Sequence, residues 1–416
     1  MKIKLLLFAT LLSFISTNAE TSTPRYVGGD ISLLPDYEEA KAVYKDLLGN
    51  PIPDFLKFCY DEGMNCMRVR LFVDPASYNG PDFDKNAKQD LEYILPLCKR
   101  IKETGLALML DFHYSDTWAD PGKQWTPIAW QGLSDNELYQ KIYDYTRSTL
   151  VTLVANGATP DFIQPGNEIS YGMLWGPYGT ASNKVYTSSS NGWERFGNLL
   201  KNAIKACREV CPKAGIIIHT ERVAELAVTT GFYDRMKSLG IDYDIIGLSY
   251  YPYYHGTLAT LDKVLTALEQ RFPEKNIMIV ETGYPYAWPV TENPESKEYD
   301  YTLQGQNEFA EALVSMLLKH PRVNGLMWWW MEYNGFSTSL SGWYNAPLVD
   351  SRDGKITPAF ESIVKFGTGH DFDAVESVFL DNDLNSDKWT DLLGRPVSGK
   401  PLHGIYIHNG KTVLVR

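Results

Sequence analysis

Two glutamates in this chain stand where chemistry is usually done. Glu168 follows the short apolar run Phe162–Pro165 through Gly166 and Asn167, within DFIQPGNEISYGMLWG (161–176). Glu281 directly follows the apolar run of NIMIVETGYPY (276–286). A carboxyl at the end of a buried strand, walled by aromatics such as Tyr171 and Trp175, has its charged form disfavoured by desolvation and can keep a proton near neutral pH. That is the requirement for a general acid. Two carboxyls about 5–5.5 Å apart across one mouth form the pair of a retaining glycosidase, one acting as acid/base and the other as nucleophile. The two roles require different surroundings. Glu281 needs donors that keep it ionised, and Arg70 and a hydroxyl of the Tyr250-Tyr251 pair are available. Glu168 rests against aromatics, and Asn167 beside it is placed to hydrogen-bond a sugar 2-hydroxyl. The plain alternative for an isolated Asn-Glu pair is a helix cap on a solvated loop.

The remaining candidates sit at similar places along the chain. NCMRVRLFVD (65–74) alternates Met67, Val69, Leu71 and Val73 against Arg68, Arg70 and Phe72, so it reads as a strand with Arg70 near its end. LALMLDFHY (106–114) carries His113, and the long loop after it, SDTWADPGKQWTPIAW (115–130), holds Asp116, Trp118 and two further tryptophans. GIIIHT (215–220) ends near His219, and DIIGLSYYPYYHG (244–256) ends in a tyrosine cluster. VNGLMWWWMEYNG (323–335) has three consecutive tryptophans, Trp328 to Trp330, which must alternate faces, so one or two of them reach a cleft. Between these runs lie helical patterns, such as Leu91, Ile94, Leu95, Cys98 and Ile101 on one face, closed by Gly105. With YVGGDISLL (26–34), this makes eight short apolar strands separated by helices, with polar residues gathered at the strands' C-terminal ends. That is the pattern of a (β/α)8 TIM barrel. A doubly wound open sheet gives a similar alternation, but no glycine-rich phosphate loop opens a helix here.

Composition narrows the partner. The chain has 416 residues, 13% of them aromatic, and a formal charge of −12, which argues against nucleic acid and anionic membranes and favours a neutral guest in an aromatic cleft. Residues 1–19 read as a signal peptide: Lys2 and Lys4, an apolar run from Leu5 to Ile15, and a small-x-small site ending at Ala19. An exported protein without a membrane span is expected, whether periplasmic, at the cell surface or extracellular. The five cysteines are too few and too irregular for a disulfide framework or a zinc site, and Cys207 and Cys211 read as buried thiols. His113 and His219 lack the spaced partners of metal ligands. The catalytic domain is expected over 20–369, an acidic linker over 370–389 and a short β-hairpin-like tail over 390–416, with Asn409-Gly410 at its turn.

The strings MRVRLFVDP, LDFHYSDTWADPGKQ, GNEISYGMLW, IIGLSYYPYYHG and IVETGYPY together resemble the endo-β-1,4-galactanases of glycoside hydrolase family 53 over residues 26–366. The resemblance implies a retaining enzyme on a (β/α)8 barrel that hydrolyses internal β-1,4-galactosyl linkages of pectic galactan. It also implies Glu168 as acid/base and Glu281 as nucleophile. Arg70, His113, Asn167, His219, Tyr250 and Tyr251 become neighbours of the sugar being cleaved, and Asp116, Trp118, Trp175 and Trp329 become walls and hydrogen-bonders of the cleft. No cofactor is required; a structural calcium is known near the loop after the eighth strand in some members, and Asp350 and Asp353 in this loop do not by themselves make that site. A galactan polysaccharide is the expected partner, met by a monomer. Two departures stand out: the eighth strand reads MWWWMEYNG where a Y-W-E-P pattern is common, and Tyr254 replaces a usual Trp. The competing readings are a retaining barrel glycosidase for mannan or glucan, and a non-catalytic glycan-binding protein on the same scaffold. The tail resembles the C-terminal tails of exported Bacteroidetes proteins.

Overall fold

The computed structural model describes residues 24–186, 191–287, 297–340, 342 and 346–369, and strand residues 389–390, 396–397, 404–408 and 411–415. Eight parallel strands close into a barrel: β1 (Tyr26–Asp30), β2 (Cys66–Leu71), β3 (Ala107–Phe112), β4 (Phe162–Pro165), β5 (Gly215–Thr220), β6 (Ile245–Tyr250), β7 (Asn276–Thr282) and β8 (Val323–Trp328). Each strand pairs with its sequence neighbours, and β1 closes the ring against β8. The (β/α)8 barrel read from the sequence is the fold observed.

Period-two alternation builds the interior in layers. Cys66, Met109, Phe162, Ile217, Ile245, Met278, Val280 and Met327 pack together as an apolar plug inside the barrel. Farther along, the same faces of β2 to β6 carry Arg68, Arg70, Asp111, Gln164, His219 and Ser249, all fully buried. The polar layer above the plug is what a barrel presents at its C-terminal mouth.

One irregularity decides the site. Strict alternation in β7 would put Met278, Val280 and Thr282 inward and Glu281 outward. In the pairing of β6 with β7, Leu248 stands opposite Ile279 but Ser249 stands opposite Glu281, so Val280 is skipped. This bulge re-aims the chain and turns Glu281 to the mouth.

The helices pack outside. Leu91–Thr104 starts at Asp90, whose carboxylate accepts the Tyr93 N–H at 2.8 Å, buries Ile94, Leu97, Cys98 and Ile101, and ends at Gly105 with φ 94°. Asp135–Ala155 starts with a capping box between Ser134 and Glu137. All five cysteines are buried and unpaired, Cys207 and Cys211 among them.

The tail is more than a hairpin. Gly404–His408 and Lys411–Val415 pair antiparallel, and Trp389–Thr390 and Pro396–Val397 extend them into a four-stranded sheet. Trp389, assigned to the linker, therefore belongs to the sheet through its pairing with His408 and Val397. The leader (1–19) and the rest of the acidic stretch (370–388) lie outside the described residues. After β8, Arg352 holds the Asp350 carboxylate at 2.7 Å, and Lys355 lies 3.5 Å from that of Asp353. Among the described residues, no group of three or more His, Cys, Asp or Glu side chains is arranged to hold a metal, and no helix is long and apolar enough to cross a membrane.

Candidate active site

A cleft of about 850 Å³ opens at the barrel mouth, with Glu168, Glu281, Asn167, Trp118, Trp329 and Tyr251 in its wall. Glu168 arrives there by a sharp exit from β4. Gly166 has φ 111°, where any Cβ would come within 2.7 Å of Ile169 and Met173. Glu168 itself is left-handed, with φ 49° and ψ 52°. That conformation disfavours a residue with a Cβ and persists only when its surroundings hold it. Here the Glu168 N–H reaches His219 Nδ1 at 3.3 Å, and the Ser249 hydroxyl donates to Glu168 Oε1 at 2.6 Å. Burial first, and then the charges of Glu281 and Glu221, push the Glu168 carboxyl well above the usual carboxylate range.

Glu281 sits in a different field. Its Oε2 accepts from the Tyr251 hydroxyl at 3.1 Å, and its Oε1 lies 2.9 Å from Arg68 Nη2. Burial pushes this carboxyl up to about 7, with Arg68 and the Tyr251 hydrogen bond pulling down and the Asp111 and Asp30 charges pushing up. Ser249 and Tyr251, two residues apart at the end of β6, thus hold one carboxyl each.

Beneath the pair lies a buried charge cluster. Arg68 reaches Asp30 at 3.3 Å, Asp111 at 2.8 Å, Asn167 Oδ1 at 2.9 Å and Glu281. Arg70 pairs with Asp30 at 2.6 Å, and its guanidinium lies 4.8, 5.1 and 5.0 Å from the ring centres of Trp118, Trp329 and Trp330. Two guanidiniums balance Asp30 and Asp111. Glu281 is the third anion around them, which adds to burial in raising its carboxyl.

Several sequence expectations change in the structure. Arg68, not Arg70, touches Glu281; Arg70 lies behind the tryptophans and supports them from below. Both arginines were visible in MRVR, but depth along an inward-facing strand is set by the register between strands. Tyr251 meets Glu281, whereas Tyr250 turns away and donates to Gly256 O at 2.9 Å. His113 is buried beside Asp111 (3.1 Å) and accepts the Ala119 N–H at 3.1 Å, so it braces the loop that carries Trp118. Asp116 likewise accepts the Asp74 and Ile128 N–H groups and anchors that loop away from the cleft wall. Trp175 does not line the cleft: it is buried, with its indole N–H on Tyr171 O at 2.9 Å. His219 stands one layer below the carboxyls, against Ser249 and Gln164. Asn167 does face the cleft; its amide donates one hydrogen to Ala119 O at 2.8 Å and has a second to offer. Of the three consecutive tryptophans, Trp329 and Trp330 line the cleft and Trp328 is buried, donating to Ala346 O at 2.7 Å.

Glu221, which the sequence reading passed over, is a further buried carboxyl in the wall. It follows β5 directly, is 5% exposed, accepts from Ser170 Oγ at 2.5 Å, and is pushed up to about 7 chiefly by burial. The polar His219-Thr220 pair separates it from the apolar run of that strand, whereas Glu281 follows its apolar run without a break.

Comparison with known proteins places the chain in a family. The family model described as glycosyl hydrolase family 53 matches residues 26–363. The chain belongs to that family. An arabinogalactan endo-β-1,4-galactanase of Cellvibrio japonicus is 31% identical over 383 residues, covering 86% of this chain and 96% of that one. An uncharacterised protein of Niallia circulans is 36% identical over 318 residues, covering 74% and 82%. Among solved structures, the family 53 catalytic domain of Ignisphaera aggregans superposes with a TM-score of 0.69 at 30% identity, over 81% of this chain and 94% of that one. A fungal β-1,4-galactanase gives 0.68 at 26% identity, over 82% and 99%. The catalytic core of a xylanase, at 15% identity and a TM-score of 0.52, shares the barrel fold. This family 53 member is thus a glycoside hydrolase on a closed eight-stranded barrel.

Proposed function

We propose that this family 53 enzyme hydrolyses internal β-1,4-galactosyl linkages of galactan with retention of configuration, Glu281 acting as nucleophile and Glu168 as acid/base. The observation that carries the assignment of roles is the contrast between two carboxyls in one cleft, Glu281 buried and Glu168 half-buried. Glu281 lies against a guanidinium and a phenol that favour its anion. Among the described residues no cation pairs with Glu168, and the neighbouring Glu281 and Glu221 favour its neutral form. With Glu281 ionised, its oxygen attacks the anomeric carbon. The Glu168 proton passes to the departing glycosidic oxygen, and the resulting carboxylate then takes a proton from the water that releases the glycosyl-enzyme. Asn167 offers its free amide hydrogen to the 2-hydroxyl of the sugar, and Trp118, Trp329 and Trp330 offer ring surfaces to its C–H faces. The galactan reading rests on the family and on the named galactanase relatives. Action outside the cytoplasm as a monomer, without a cofactor, completes the proposal.

Reducing-sugar release from linear β-1,4-galactan, β-mannan and mixed-linkage glucan is the direct test. Release from galactan alone is expected. Release from mannan or glucan instead would keep the chemistry and overturn the substrate, and binding without release from any of them would favour a glycan-binding protein.

A further inference from the structure

We infer that a buried hydrogen-bond chain, Asp111–Gln164–His219–Ser249, fixes which oxygen of Glu168 carries the acid proton, with Ser249 and His219 as positioning residues. The inference rests on Glu168 being the acid, as proposed above. Asp111, paired with Arg68, is held below the usual carboxylate range and is therefore an acceptor. Gln164 must turn its amide NH2 toward it, with Nε2 at 2.6 Å from Asp111 Oδ1. The second hydrogen of that NH2 points to His219 Nδ1 at 2.9 Å, and the Glu168 backbone N–H points to the same nitrogen at 3.3 Å. Asn167 Oδ1 also lies 3.1 Å from Nδ1, but its two lone pairs already face Arg68 Nη2 at 2.9 Å and Gln164 Nε2 at 3.4 Å. Two donors aimed at Nδ1 leave it bare, so the neutral ring carries its hydrogen on Nε2.

The polarity then propagates. His219 Nε2–H donates to Ser249 Oγ at 2.8 Å, so the single hydroxyl hydrogen of Ser249 is free to donate to Glu168 Oε1 at 2.6 Å. A proton on Oε1 would face another hydrogen. Protonation of Glu168 is therefore confined to Oε2, which accepts no hydrogen bond from a described residue and belongs to a side chain in the cleft wall. The proton sits on the oxygen left for the leaving group. After transfer, the Ser249 donor steadies the new carboxylate, and Oε2 is again free to take a proton from water.

The groups facing Glu168 are Glu281 from β7, Glu221 from the end of β5, Asp120 from the loop after β3, Ser249 from β6 and Tyr251 just past it. Those acting on His219 are Arg68, Asp111, His113 and His255. Among the described residues Ser249 is the neutral donor that hydrogen-bonds the Glu168 carboxyl, while the Tyr251 hydroxyl is spent on Glu281, so loss of Ser249 has a signed effect. Without it the anion of Glu168 is less favoured, and the basic limb of the kcat/KM profile moves to higher pH.

Ser249→Ala is expected to move that limb up by about one pH unit and to slow turnover of aryl galactosides with good leaving groups, where release of the glycosyl-enzyme needs the base. Ser249→Thr is expected to restore both. A Ser249→Ala profile matching the parent, or a limb moving down, would overturn the proposal. Independently of activity, protein labelled with 15N-histidine, with His219 assigned by its absence in His219→Asn, should show this ring as the neutral Nε2–H tautomer from pH 5 to 9. An Nδ1–H or charged ring would sink the chain even if the enzyme is active. The acid role of Glu168 is tested apart from this: a basic limb that survives in Glu168→Gln would overturn that role, whatever the Ser249→Ala profile shows.

Discussion

Glu281→Gln is expected to cut galactan hydrolysis by at least about 10⁴-fold, yet to leave the barrel no less stable above pH 7. The loss follows from removing the only proposed nucleophile. The stability result follows from linkage. The Glu281 carboxyl is held near 7, above the ordinary value of its unfolded state, so the folded chain binds more protons than the unfolded one across that interval. Stability therefore falls as pH rises from the unfolded value through about 7. An uncharged amide of the same shape removes that loss, and each kcal/mol recovered would raise the melting temperature by roughly 2–4 °C. Melting curves at pH 5 and pH 8 test the sign: the gain should be clear at pH 8 and much smaller at pH 5. The matching acid/base variant, Glu168→Ala, should lose about 10²–10⁴-fold on galactan but much less in forming the glycosyl-enzyme from an aryl glycoside whose leaving group needs no proton. Azide should distinguish the two Ala variants. It fills the space of the lost carboxylate and attacks from that side, giving a β-azide with Glu168→Ala and an α-azide with Glu281→Ala. The opposite pairing would exchange the roles.

Arg68→Met is expected to damage both stability and the pH profile. It leaves Asp30 with Arg70 alone, and strips Asp111 and Glu281 of their shared cation inside a fully buried layer. Removing one partner from such a cluster costs about 3–5 kcal/mol. Arg68 is also the strongest influence lowering the Glu281 carboxyl. Without it that group protonates more readily, so the acid limb of kcat/KM moves above its parent position, and activity at pH 7 should fall by about 10²-fold or more. Adding Asp111→Asn to Arg68→Met removes one stranded anion and should recover part of the stability. An acid limb that stays in place would show that Arg68 does not govern Glu281.

The division between what was legible in the sequence and what was not follows the physics of strands. Runs such as NIMIVE and GIIIHT are buried on both faces, and their spacing alone gives eight strands and hence the barrel. Glu168 and Glu281 were legible because a carboxyl directly after such a run has few bland explanations once two of them occur. The partners were less legible because they depend on register. Period two puts Arg68 and Arg70 on one face without saying which lies level with Glu281. It puts Tyr250 and Tyr251 on opposite faces without saying which faces in. It assigns Glu281 to the wrong face altogether, because the skipped Val280 exists only in the pairing of β7 with β6. The Asp111–Gln164–His219–Ser249 chain joins four strands and has no local trace in any of them.

The five buried, unpaired thiols carry a practical consequence. Burial pushes every one of them above its ordinary pKa, and none lies in the cleft wall. The folded barrel therefore shields all five thiols from oxidants and reductants in the solution around it. An alkylating reagent reaches these sulfurs only when the barrel opens. Their rate of modification is thus a built-in clock for that opening, readable without any substrate.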